Sequence, residues 1–184
     1  MSQAKTLTPQ ELRRVLDFVA TRKHAARNRA MLLMTHLSGM RVGEVAALRI
    51  NDVLDTDGNV RSEIRLDAEQ TKGNFARVVF VSEKLRKELT KYLALYQPIN
   101  HDQKLFYTQK RMKEGFTANT LTQFFHHLYH AVGIEGASSH SGRRSFITNL
   151  ASKGVGVRVL MSLSGHRSIS TTQVRAVAAR KVKG

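Results

Sequence analysis

Cysteine is absent from this 184-residue chain, which excludes disulfides and thiolate metal sites. Acidic residues are scarce: 14 Asp and Glu face 30 Lys and Arg, for a formal net charge of +16 and an isoelectric point near 10.8. An excess of that size points to a polyanionic partner, nucleic acid before others. Charge alone fits a soluble basic surface or a ribosomal-type RNA binder equally well. No apolar run is long enough to span a bilayer, and the N-terminus lacks the apolar core of a signal peptide. A cytoplasmic protein without membrane contact is therefore expected. Repeats, low-complexity segments and an aromatic stacking platform of the RNA-module kind are lacking too. What is present is a globular composition. The hydrophobic fraction of 41% is too high for a disordered basic tail, and the length suits one domain.

Apolar spacing sets out the elements. Thr8-Pro9-Gln10-Glu11 is a capping box with proline at the first helical position, and Leu12, Val15, Leu16 and Val19 follow at helical spacing. A second helix is predicted from about Ala26 to Leu37, stopped by Gly39, and a short third from Val42 to Leu48. The middle reads as three short antiparallel strands. Asp57-Gly58 is a turn signal between Val53-Leu54 and Ile64-Arg65-Leu66, and Lys72-Gly73-Asn74 precedes Val78 to Val81. Ser82 caps a helix whose Leu85, Leu89, Leu93 and Tyr96 form one stripe. Helices follow from Thr117 to Gly133, from about Gly142 to Lys153 and from Val157 to Ser164. The fold class is α+β and mostly helical, with a small three-stranded antiparallel sheet.

Certain residues suit the handling of a phosphodiester. Such chemistry without a metal needs cations on the phosphoryl oxygens, an acid for the leaving oxygen and a nucleophile. Arg41, after the Gly39 turn, and Arg143, near a helix start, carry permanently charged planar forks that can grip two phosphate oxygens. A helix N-terminus adds backbone donors. His140, three residues before Arg143, and His166, after Gly165, can present further donors, and Lys72 at a turn tip can swing into a groove to give up a proton. Taken singly, each residue also fits a solvated surface role, with Glu44 as a surface ion-pair partner of Arg41. Arg144 fits a backbone-phosphate contact or a plain surface residue.

In order along the chain come Ser38-Gly39-Met40-Arg41-Val42-Gly43-Glu44, Thr71-Lys72-Gly73, His140-Ser141-Gly142-Arg143 and Leu163-Ser164-Gly165-His166. Together they resemble the active-site boxes of the tyrosine recombinases, the phage integrase family, over about Thr8 to Val174. The resemblance implies a catalytic domain that cleaves and rejoins duplex DNA, in integration or recombination by a mobile element. In it Arg41 and Arg143 clamp the scissile phosphate, His140 and His166 assist, and Lys72 is the general acid for the departing 5′ oxygen. Glu44 orients Arg41, and Arg144 joins the DNA contacts. No cofactor is implied.

Three departures qualify the resemblance. The run Gly165 to Val174 is followed in the family by the nucleophilic tyrosine; here Arg175 stands there, and no tyrosine occurs after Tyr129. Arginine cannot be deprotonated to attack phosphorus, so the covalent step is expected to fail. Residues 175–184 read as a basic, disordered tail in place of a final helix, so self-association on DNA is expected to be weakened. No separate N-terminal DNA-clamping domain is expected before Thr8. A frameshift, a truncation and a natural loss of the nucleophile remain open as causes. The alternatives to a recombinase are a non-catalytic DNA-binding regulator, or pseudoenzyme, and a basic RNA-binding protein. His126 and His130, one helical turn apart, are read as a solvated face: the zincin pattern needs glutamate where His127 stands, so no metal is expected.

Overall fold

The structure is a computed structural model that describes residues 3–108, 110 and 114–166. Helix α1 (Pro9–Ala20) opens on the Thr8 capping box: Thr8 Oγ1 accepts from the Glu11 N–H and Glu11 returns the bond to the Thr8 N–H. Its Val15 and Val19 are buried. Helix α2 (Ala25–Ser38) is buried on nearly every side, from Arg27 and Asn28 through Met31, Leu32, Leu33 and Met34 to His36 and Ser38. It is the central rod of the domain, packed between α7 (Ser141–Ser152) and α5 (Glu83–Tyr96). Helix α3 (Val42–Ala47) follows α2 and lies against α6 (Ala118–Val132). The main core gathers side chains from α1, α2, α3, α5 and α6, with Phe106, Phe125 and Tyr129 among the largest.

The sheet has two strands, where three were expected. Strand β1 (Glu63–Leu66) pairs antiparallel with β2 (Arg77–Phe80), with Ile64 opposite Val79 and Leu66 opposite Arg77. The expected first strand is instead a single helical turn, α4 (Ile50–Val53), and Leu54 makes only an isolated bridge to Val60. Local polar bonds explain the difference. Asp52 accepts from the Arg49 N–H at 2.9 Å, which favours a helical turn, while the Ile50 and Asn51 N–H groups are taken by the Gln103 and His101 carbonyls. The Asp55 carboxylate binds the Asp57 and Asn59 N–H groups and closes the Asp57-Gly58 turn on itself, so that the turn ends at Val60.

The last described helix, α8 (Val157–Ser164), stands partly apart. Its Leu160 and Ala151 of α7 form a small apolar cluster of their own, edged by Leu150, Val155 and Val157. Beyond it, α8 is tied to the domain by polar bonds to its C-terminal carbonyls, and those bonds belong to the site. No helix among the described residues is long and apolar enough to cross a membrane.

Candidate active site

Two glycine-ended helices deliver the charged groups. Gly39 caps α2 at φ +67°, with its N–H bonded to the Thr35 carbonyl. A side chain there would be strained, and its Cβ would lie 2.4 Å from the Phe146 ring. The turn brings Arg41 to the start of α3, where its backbone N–H donates to Glu44 Oε2 at 2.8 Å. Gly165 caps α8 in the same left-handed conformation, and His166 follows it.

Arginines join these two ends. Arg143, 5% exposed, donates through Nη1 to the Gly39 carbonyl at 2.7 Å and through Nη2 to the Ser164 carbonyl. Arg41 donates through Nη1 to Glu44 Oε1 at 3.1 Å and through Nη2 to the Gly165 carbonyl at 3.4 Å. Both predicted arginines thus bridge the same two segments, 38–44 and 163–166. Arg143 lies beneath and Arg41 lies toward solvent.

A cleft of about 540 Å³ opens over this bridge. Arg41, Lys72 and His166 line it, together with Arg77, Arg158 and Phe75. Lys72 lies exposed in the turn before β2, a turn pinned by Thr71, whose hydroxyl accepts from the Phe75 N–H and donates to the Phe75 carbonyl. His140 is the exposed N-cap of α7, one helical turn from Arg143, and is not part of the cleft lining. Arg144 does not reach the cleft either: its guanidinium donates to Gln3 Oε1 at 2.6 Å. Arg175 lies outside the described residues, as does the whole of 167–184.

Glu44 is more than a surface partner. Its side chain is 1% exposed and binds two arginines, Arg41 and Arg77. Burial would raise its carboxyl pKa, but the hydrogen bonds and charge of Arg77, with the Arg41 backbone bond and charge, outweigh it and hold the group below its ordinary value. Arg77 is the residue that the sequence reading missed. The sequence held little signal for it: Val78, Val79, Phe80 and Val81 are all apolar, and only the structure, which buries Val79 and Val81, places Arg77 on their face of the strand.

Chemically, the arrangement presents several cations at one concave surface, with an exposed amine and an imidazole at its edge. Such a set can bind a phosphate dianion or diester and can supply protons. Among the described residues no group of three or more His, Asp or Glu is placed to hold a metal. His126 and His130 stack on one face of α6 with ring centres 6.5 Å apart.

Comparison with known proteins extends these observations. The model of the phage integrase family matches residues 5–179, a span that includes position 175. Tyrosine recombinase XerA of Pyrococcus furiosus is 28% identical over 171 residues, which cover 92% of this chain and 56% of that protein. The crystal structure of XerA recombinase superposes with a TM-score of 0.78 at 26% identity, over all of this chain and 65% of that one. The XerH site-specific recombinase, solved bound to a palindromic difH substrate in a post-cleavage complex, shares the fold with a TM-score of 0.74 at 23% identity, over 98% of this chain and 51% of that one. The chain spans little more than half the length of the curated relatives it matches.

Proposed function

We propose that this chain, which belongs to the phage integrase family of tyrosine recombinases, binds duplex DNA and seats one backbone phosphate in the cleft of Arg41, Lys72 and His166. The observation that carries the reading is the double bridge: Arg41 and Arg143 join the Gly39 turn to the α8 end, directly under a cationic cleft. Arg41 grips the phosphate from the cleft wall. Arg143, whose Nη groups hold the Gly39 and Ser164 carbonyls, forms the floor and adds its charge from below. Lys72 is the general acid for the leaving 5′ oxygen, His166 donates to the phosphoryl group, and His140 and Arg144 act at the margin. Recombinase relatives support DNA as the polyanion, and the Tn1549 transposon integrase, which shares the fold, was solved in complex with transposon right end DNA.

The ancestral reaction is strand cleavage and rejoining through a phosphotyrosyl intermediate. With Arg175 at the nucleophile's position, this chain binds DNA without forming that bond. Two assays test the reading. At matched salt the protein should prefer duplex DNA to structured or single-stranded RNA, and it should give no denaturant-resistant adduct with duplex DNA. Preference for RNA contradicts the DNA assignment, and an adduct mapped to any residue contradicts the loss of chemistry.

A further inference from the structure

We infer that Arg77 is a positioning residue for Arg41: it holds the Glu44 carboxylate so that the charge of Arg41 stays available to a phosphate in the cleft. The inference rests on the reading of the cleft as a DNA phosphate site. Its basis is the way one buried carboxylate is shared. Glu44 Oε2 accepts from Arg77 Nη2 at 2.7 Å and from the Arg41 backbone N–H at 2.8 Å, while Oε1 accepts from Arg77 Nε at 3.0 Å and from Arg41 Nη1 at 3.1 Å. Arg77 therefore makes the two-pronged pair, and the Arg41 guanidinium makes a single contact. The geometry of Arg77 is fixed from other sides too. Nη1 donates to the Leu163 carbonyl at 3.1 Å, and its aliphatic stem lies against Gly165, where an added Cβ would come within 2.8 Å of Arg77 Cδ.

Charge makes the division of labour meaningful. Two guanidinium groups face one carboxylate, so the cluster carries one net positive charge. Both arginines border the cleft, but the side chain of Arg77 is 10% exposed and that of Arg41 is 25% exposed, so the better-buried arginine neutralises Glu44 and the surplus charge rests on the more exposed one. Removing the Arg77 charge leaves a carboxylate that is 1% exposed with Arg41 as its one bonded side-chain cation among the described residues. A buried anion of that kind strongly favours a close ion pair. Arg41 would be drawn into it, and the cluster would become neutral toward DNA. Arg77 would then matter for binding without touching the phosphate.

The test follows affinity for a fluorescein-labelled random-sequence DNA duplex as a function of salt, by fluorescence anisotropy on the full chain. Circular dichroism melting checks that each variant is folded. Arg41→Ala should lower the log–log salt slope by about 0.9, the share of one phosphate contact. Arg77→Met should lower it equally, and Arg77→Gln serves where the methionine variant does not fold. Arg77→Lys, which keeps a cation beside Glu44, should retain the wild-type slope. Adding Glu44→Gln to either neutral variant should restore the lost slope, because no anion remains to capture Arg41. A double variant that stays as weak as the single one overturns the inference, since a direct phosphate contact or a merely structural tie would give that result. So does an Arg77→Met protein that binds like wild type. If Arg41→Ala leaves the slope unchanged, the phosphate reading itself fails, and the inference falls with it.

Discussion

At the scale of single residues, the site depends on a turn that admits little variation. Gly39 combines a left-handed backbone with a ring of Phe146 where its Cβ would stand, and Arg41 follows two residues later. Gly39→Ala should cost about 3 kcal/mol, the sum of left-handed strain and overpacking. Gly58→Ala is the control. Gly58 has φ +81° but nothing within 4 Å of the added Cβ, so that variant should lose only about 1 kcal/mol. Urea denaturation measures both, and equal losses would show that the Phe146 contact contributes nothing. Arg41, Glu44, Lys72, Arg143 and His166 were all legible as residue types at family spacing. Arg77 was not, because its role depends on which face of β2 it occupies, and that face was settled only by the pairing with β1.

At the scale of elements, helices were read well where local signals agreed. The Thr8 box, the Ser82 cap, the leucine stripe of α5 and the Gly133 stop of α6 all stand where apolar spacing and caps placed them. The third strand failed for a reason local propensity does not hold: Asp52 and Asp55 satisfy backbone donors within a few residues, and the chain turns before it can pair. Packing between elements was equally hidden. Gly142 reads as a helix start, yet it is the point where α7 meets α2: an added Cβ would lie 2.1 Å from Thr35 Oγ1 and 2.9 Å from His36 Nδ1. Gly142→Ala should therefore cost roughly 2–3 kcal/mol. It should also weaken DNA binding in the folded fraction, because α7 carries Arg143. Denaturant midpoints paired with anisotropy check both, and a variant that melts and binds like wild type would contradict the close packing.

At the scale of the whole molecule, two buried groups couple stability to pH. Among the described residues neither nitrogen of the His36 imidazole has a hydrogen-bond partner, and burial lowers its pKa from 6.5 to about 4. The unfolded chain takes up the proton first as pH falls, so stability declines between about pH 6.5 and 4, by at most about 3 kcal/mol. Glu44, held below its ordinary value by Arg77 and Arg41 against its burial, contributes stability above the carboxylate range that is lost as pH falls through and below it. Acid should thus act in two successive steps. His36→Leu should flatten the first of them in urea midpoints taken from pH 7 to 4, and an unchanged pH slope would remove His36 as its cause. The charge of +16 was legible from composition alone, but composition does not say where a polyanion sits. The cleft beside Arg41 is where the DNA phosphate should sit, and the salt dependence of duplex DNA affinity for wild type and Arg41→Ala measures whether it does. With the phosphate on Arg41, the wild-type slope should be steep and negative and should become shallower by about 0.9 in the variant. A flat wild-type slope, or one that Arg41→Ala leaves untouched, would contradict it.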